Sequence, residues 1–306
     1  MSSNPQRKNP LAAGMAAGVG AYALWGVFPL YWKILASVGP YEILANRIVW
    51  SCVFTFVVLL VSSRLKEILA VIKKPWTMLY LACSGILVSL NWGIYIWAVN
   101  NGKIIESSLG YYLNPLISVL LGVLVFKEKF DKWLGLAALL ATAGISVFII
   151  KLNAFPWISL SLAVTFAVYG VFKKLAKLDS MVALMLETLC VSPLALWYLL
   201  SLQKAGTAAF GTQGVGVTLL LVFAGVVTSI PLYLYAEGVK RLPLTTMGFL
   251  QYISPTGQFL LGVLVYHEKL STEKAVTFGL VLAGLAVYML SRNKKTPIAA
   301  QAIGDD

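Results

Sequence analysis

LLGVLVFKEK at residues 120–129 returns as LLGVLVYHEK at residues 260–269. The shift of 140 that joins them also lays Tyr112 on Tyr252, Pro115 on Pro255, Glu128 on Glu268 and Lys129 on Lys269, so ten of the eighteen positions in 112–129 recur unchanged in 252–269. It carries Ser89 onto Ser229, Tyr95 onto Tyr235 and Gly144 onto Gly284, and a shift of 144 sets Trp25-Gly26-Val27-Phe28 against Tyr169-Gly170-Val171-Phe172. Helices rich in Leu and Val resemble one another by composition alone, but composition does not place Tyr, Pro and Glu-Lys in register. The pattern is that of an internal duplication.

Composition says where the duplicated unit resides. The chain is 59% hydrophobic and 12% charged, whereas a soluble domain carries about 25% charged residues. Its apolar residues run in blocks of about 18–25, the length that crosses a hydrocarbon core. The blocks predict ten spans, at 11–32, 41–61, 75–98, 106–126, 133–150, 155–172, 181–201, 217–236, 245–266 and 275–290. They lack the two-residue alternation of a barrel, so they predict helices. The block at 11–32 is longer than a signal-peptide core and contains Pro29, so it reads as a retained span.

Lysine and arginine set the direction. With the N-terminus in the cytoplasm, seventeen of them fall in inside segments and six in outside loops, and Arg47 alone falls within a span. Both termini are then cytoplasmic. Five spans per half is an odd number, so the second half enters the membrane from the opposite side. The expected fold class is therefore an all-α polytopic membrane protein with ten transmembrane helices as two inverted five-helix repeats. The repeats occupy 11–150 and 151–290, flanked by cytoplasmic tails 1–10 and 291–306. Inverted repeats frame many secondary transporters, whose halves rock about a central site. The net charge of +12 is scattered between apolar blocks and forms no continuous basic face, so no nucleic-acid partner is expected.

Charged residues at membrane depth cost at least about 2.5–3.5 kcal/mol each, so each calls for a reason. Arg47 admits three: snorkelling to a headgroup, pairing with Glu42 or Glu187, or anchoring an anionic group. Glu42 fits a solvated position near the outer interface. Glu187 is a candidate proton carrier or counter-ion of Arg47. Tyr111, Asn114 and Ser118 form one helical face, and Gln251, Ser254 and Gln258 form the same face 140 positions on. Such a stripe either lines a shared cavity or bonds helices together. Trp25 and Trp92 lie deep enough to face a ligand, with amides such as Asn91 among the rings, whereas Trp32, Trp76, Trp133 and Trp157 sit where interfacial tryptophans belong.

Enzyme chemistry finds little to work with. All four aspartates lie in loops or the tail, the single histidine His267 lies at a span end, and no HExxH or GxxxxGK[ST] motif occurs. Cys52, Cys83 and Cys190 fall in apolar blocks without metal spacing and read as packing residues. No cofactor is expected.

Trp25-Gly26, Glu42-Ile-Leu-Ala-Asn-Arg47, Asn91-Trp92, Trp97-Ala-Val-Asn100, Glu106-Ser-Ser-Leu-Gly-Tyr-Tyr-Leu-Asn-Pro115, Glu187-Thr188 and Gln251-Tyr252 through Pro255 together carry a resemblance. The chain from about 11 to 290 resembles the EamA-like branch of the drug/metabolite transporter superfamily, and within it the RarD group of chloramphenicol-sensitive proteins. The stretch LKEILAVIKKPW after the second span looks different, and reads as a basic loop. The resemblance implies a permease of the bacterial inner membrane that exports small metabolites or drugs. The expectation is thus a secondary active exporter working by alternating access. Trp25, Arg47, Asn91, Trp92, Tyr111, Asn114, Gln251 and Ser254 would contact the substrate, and Glu187 would couple to an ion. Its partners are a small-molecule substrate and the lipid bilayer, with proton coupling and a homodimer left open. The alternative is a structural or regulatory membrane protein whose polar stripe only packs helices.

Overall fold

Proline and glycine punctuate a chain of helices. Pro40 and Pro75 open helices where no preceding carbonyl needs their missing N–H. Gly102 and Gly206 close two of them with φ of +66° and +68°. At each, the next residue folds back to bond the carbonyl five residues earlier, Lys103 to Ala98 at 2.8 Å and Thr207 to Leu202 at 3.1 Å. The structure, a computed structural model, describes residues 10–126, 132–152, 155–176, 178–239, 241 and 250–293. Its helices are α1 (Pro10–Ile34), α2 (Pro40–Val61), α3 (Leu65–Ile72), α4 (Pro75–Asn100), α5 (Ile104–Phe126) and α6 (Lys132–Leu152). They continue with α7 (Trp157–Ala176), α8 (Ser180–Lys204), α9 (Val215–Val239), α10 (Ile253–Leu260) and α11 (Thr272–Asn293).

The protein is an all-α polytopic membrane protein with multiple apolar spans. Among the described residues, five helical stretches are long and apolar enough to cross a membrane: Leu11–Ile34, Pro40–Val61, Pro75–Asn100, Ser180–Lys204 and Val215–Tyr235. Gly135–Lys151, Trp157–Lys173 and Ile253–Val265 are shorter apolar helices. The start of the expected span 245–266, the Lys127-Glu128-Lys129 end of the first repeated phrase and most of both expected tails lie outside the described residues.

The stretch expected as a basic loop contains a helix. In α3, Ile68 and Val71 fall on one face and are buried against Leu59, Leu81, Met181 and Val182, while Lys66 and Glu67 remain exposed. Ile-Leu-Ala-Val-Ile carries enough apolar surface at helical spacing to dock, despite the lysines around it. Arg64, just before α3, bonds both Glu67 and Asp179, which ties α3 to the start of α8.

The helices interleave. α2 packs along α8 and α9, α4 along α7 and α8, α1 along α9 and α10, α5 along α7 and α10, and α6 along α11. Several crossings bring backbone against backbone, two of them most closely. A Cβ on Gly225 of α9 would lie 2.3 Å from the carbonyl of Trp50 in α2, and one on Gly85 of α4 would lie 2.6 Å from that of Glu187 in α8. Only glycine permits such an approach.

The second copy of the opening phrase ends in a wide turn. Leu261–Val265 is π-helical, His267 takes φ of 50°, and the Glu268 N–H returns to Gly262 O at 2.9 Å. The Glu268 carboxylate then accepts from the first two N–H groups of α5, those of Ile104 at 2.8 Å and Ile105 at 2.9 Å. The phrase near the end of the chain thereby caps the helix that carries its twin, with negative charge at the positive helix end.

Trp32 departs from its expected place. It is 0% exposed, packed in a cluster with Leu35, Ile43, Ile96 and Ile104, whereas Trp76 is 71% exposed and Trp157 45%. Span-end position assigns a tryptophan to the interface only when its helix face points outward. That of Trp32 points at α2.

Candidate functional site

The helices enclose a cavity of about 380 Å³, within the usual range of ligand sites. Nine aromatic side chains are on its wall: Tyr22, Trp25, Phe28, Trp92, Tyr95, Tyr111, Phe166, Tyr169 and Tyr235. Gln251, Ser254 and Gln258 of the second polar stripe line it, together with Thr228, Arg47 and Lys173. No aspartate or glutamate is among the lining residues.

Arg47 is the cavity's deepest charge, 3% exposed. Its guanidinium lies 4.0 Å from the ring centre of Trp92 and 4.9 Å from that of Trp32. Nε donates to Thr228 Oγ1 at 2.8 Å, while Nη1 is buried without a hydrogen-bond partner among the described residues. Aromatic faces are worth about 2 kcal/mol to a desolvated cation, which offsets only part of several kcal/mol of lost hydration. The two carboxylates considered as its counter-ions are engaged elsewhere. Glu42 is not solvated: it is 5% exposed and accepts from the backbone N–H groups of Ala209 at 2.8 Å and Phe210 at 3.0 Å, capping the loop before α9. Glu187 is 0% exposed and accepts from Lys173 Nζ at 3.1 Å, Ser84 Oγ at 2.8 Å and the Tyr169 hydroxyl at 3.4 Å.

Of the eight residues expected to contact substrate, Trp25, Arg47, Asn91, Trp92, Tyr111, Gln251 and Ser254 line the cavity and Asn114 does not. Asn114 is behind the wall, where Nδ2 donates to Ala163 O at 3.1 Å and Oδ1 accepts from Gln251 Nε2 at 3.2 Å. Asn91 reaches the wall with its amide already committed. Nδ2 donates to Leu162 O and Thr165 Oγ1, both at 2.9 Å, and Oδ1 accepts from the Tyr111 hydroxyl at 3.2 Å. Both asparagines therefore hold helices and orient their neighbours.

Lys173 escaped the sequence reading because it sits among Lys174 and Lys177 and counts as an inside charge. A signal was present. The shift of 140 sets Glu187 on Arg47, and a lone buried acid in a repeat calls for a base within reach. Lys173 supplies it from one turn beyond Tyr169, whose hydroxyl accepts from Nζ at 2.7 Å. Tyr95 and Gln258 also line the cavity.

A bundle of apolar helices around an aromatic cavity, in which Arg47 is the one lining cation without a carboxylate partner among the described residues, suits a small-solute carrier. The chain belongs to the EamA-like transporter family, which it matches twice, over residues 12–150 and 156–290. It is 45% identical over 280 residues to the uncharacterized transporter YojE of Bacillus subtilis (strain 168), covering 90% of this chain and 92% of that one. It is 36% identical over 277 residues to protein RarD of Escherichia coli (strain K12), covering 90% and 94%. A solved structure described only as a crystal structure of protein matches with a TM-score of 0.61 and 22% identity, over 92% of this chain and 98% of that one, which shows a shared fold. The protein is a membrane transporter of small organic solutes, a multi-pass protein of the bacterial inner membrane, and its family is not one of enzymes.

Proposed function

We propose that the protein is a secondary active exporter in which two inverted five-helix halves, 11–150 and 151–290, alternate around the aromatic cavity. One observation carries the reading. Under the 140 shift the contacts between halves are reciprocal. A Cβ on Gly144 would meet Thr277 O at 3.0 Å, and a Cβ on Gly284 would meet Ala137 O at 2.8 Å, each glycine facing the other's partner position. Tyr112 stacks on Tyr252, its own counterpart, with ring centres 6.1 Å apart and planes 17° from parallel. The pairing of α4 with α7 has its mirror in α9 with α1, and that of α5 with α7 in α10 with α1. The two consecutive family matches support the same division.

With both termini cytoplasmic, Lys173 and Ser180 mark the inner end of the cavity, and the cluster around Trp32, Leu35 and Ile104 seals the outer end. Arg47 orients an anionic group of the solute, and Trp25, Trp92, Tyr111, Gln251 and Ser254 hold its body, with Asn91 and Asn114 positioning the wall. Glu187 is the candidate for proton coupling. Its ion pair with Lys173 favours a second reading, in which the pair only joins α7 to α8 and, through Ser84, to α4.

Reconstituted vesicles test the proposal. A metabolite panel with and without a pH gradient should include a solute whose saturable movement needs the protein, and Arg47→Gln should abolish it. If Glu187→Gln leaves the gradient's effect intact, the pair is structural. Labelling single cysteines placed at 63 and 270 from opposite sides of the membrane tests the inversion, and labelling from one side would end it.

A further inference from the structure

Three residues that line the cavity each hold a buried polar atom with no hydrogen-bond partner among the described residues: Arg47 Nη1, the Tyr95 hydroxyl and Gln258 Oε1. Their residues are at most 3% exposed. Buried polar atoms in native proteins are nearly always matched, so three unmatched ones around one cavity outline the group that matches them. From these we infer that the cavity takes a flat aromatic monocarboxylate that bears a hydroxyl or neutral N–H donor and carries a net charge of −1. The inference rests on the carrier reading only in placing the solute in this cavity.

The donors fix the head group. Arg47 Nη1 and the Tyr95 O–H are two donors, and a carboxylate offers two oxygens in one plane. The guanidinium cannot turn away, since Nε is held by Thr228 at 2.8 Å and its face by Trp92 at 4.0 Å. Gln258 Oε1 is an acceptor. Its amide nitrogen is committed to Trp25 O and Ser254 Oγ, both at 3.2 Å, so the open oxygen asks for a donor on the solute. Tyr22, Trp25 and Tyr235 meet ring to ring beside it, with centres 5.4–6.0 Å apart, and such edges and faces receive another flat ring.

Charge excludes the close relatives of such an acid. Lys173 is neutralised by Glu187 at 3.1 Å, which leaves Arg47 as the uncompensated charge of the wall. A dianionic phosphate monoester would bring one negative charge too many. A zwitterion would bring an ammonium group into a wall without a free carboxylate, since Glu187 is bonded by Lys173, Ser84 and Tyr169.

The test is binding to the purified full-length protein in detergent, read by tryptophan fluorescence and calorimetry. The probes are benzoate, meta- and para-hydroxybenzoate, benzamide and para-aminomethylbenzoate. Benzoate is expected to bind at least about tenfold tighter than benzamide or the zwitterion, the scale of one charge-assisted hydrogen bond. One of the hydroxybenzoates should bind tighter still, and in Gln258→Leu that hydroxybenzoate should bind no tighter than benzoate does to the same variant. Tyr95→Phe removes a hydroxyl that no protein group uses, so it should fold normally and weaken every acid several-fold. Arg47→Gln should erase the preference for acid over amide. Equal binding of acid and amide, no binding of any acid, or parity of the zwitterion would overturn the inference. Selective binding without flux into vesicles would instead retire the carrier reading alone, and flux of other solutes without acid preference would retire this inference alone.

Discussion

Gly225→Ala offers the sharpest test of how the bundle is held together. Its added methyl would lie 2.3 Å from the carbonyl carbon and oxygen of Trp50, both backbone atoms that no rotamer change can move. Ordinary contact begins near 3.4 Å, so α2 and α9 would have to part by about 1 Å. A gap of that size forfeits a quarter to a half of the dispersion energy along the contact. Overpacking costs about 1–3 kcal/mol when side chains can yield, and here the upper end applies. Alanine's advantage over glycine inside a helix returns at most about 1 kcal/mol. At roughly 2–4 °C per kcal/mol for a chain of this order of size, a net loss of about 2–3 kcal/mol lowers Tm by about 4–12 °C. The control is Gly279→Ala in α11, whose Cβ would meet nothing within 4 Å. It should hold or raise Tm. Thermal unfolding of the two variants in one detergent, followed by size-exclusion chromatography, decides the matter. A Gly225→Ala protein as stable as wild type, or a Gly279→Ala protein that falls equally far, would refute the close crossing.

Three further outcomes follow from the same geometry. Lys173→Met leaves Glu187 charged and buried, which should destabilise by about 3 kcal/mol, the low end for a broken buried pair because Lys173 keeps 23% side-chain exposure. Adding Glu187→Leu should recover more than half of it in a double-mutant cycle, and strictly additive losses would show that the pair is not the cause. Glu268→Ala strips the cap from Ile104 and Ile105, lowering stability by about 2 kcal/mol, and Glu268→Gln should lose about half as much because one acceptor oxygen remains. Asn91→Ala orphans the Tyr111 hydroxyl and removes the amide bonds that tie α4 to Leu162 O and Thr165 of α7. It should cost about 2 kcal/mol of stability while shifting hydroxybenzoate affinity less than threefold, and a larger affinity loss at normal Tm would place Asn91 in direct contact with the solute.

The helices were legible because burying a backbone in lipid forces long apolar runs, and such runs need no knowledge of neighbours to be recognised. The wall of the cavity was legible where two copies of a polar residue lay in register, as at Tyr111 and Gln251. What stayed hidden depends on facing. Trp32 and Trp157 occupy similar span-end positions, yet one is sealed in the core and the other is 45% exposed, and nothing local to either distinguishes them. Asn114 lies on the predicted stripe, but a helix face is wider than a cavity, and Gln251 stands between it and the space. Lys173 was hidden by its neighbours, because a lysine that reaches inward and one that snorkels to water have the same local sequence.

The duplication also bears on the charge of the site. Position 47 and its counterpart 187 would be the same place in two mirrored halves, yet one holds Arg and the other Glu. Had both halves kept arginine, the bundle would bury two bare cations. Had they paired with each other, the cavity would be neutral and indifferent to the charge of its solute. Neither is the case, for Glu187 is answered by Lys173, and among the described residues Arg47 is answered by tryptophan faces and one hydroxyl. Under the proposed inversion a symmetric frame would thus hold an asymmetric charge. Under the proposed alternation Arg47, which lines the cavity, would face the solute whichever end is open, so the preference for an anion should persist in both states. Binding measured from either side of oriented vesicles should therefore show the same ranking of acid over amide, and a ranking that reverses between sides would mean that Arg47 is covered in one state and that the anion is recognised only on the way in or the way out.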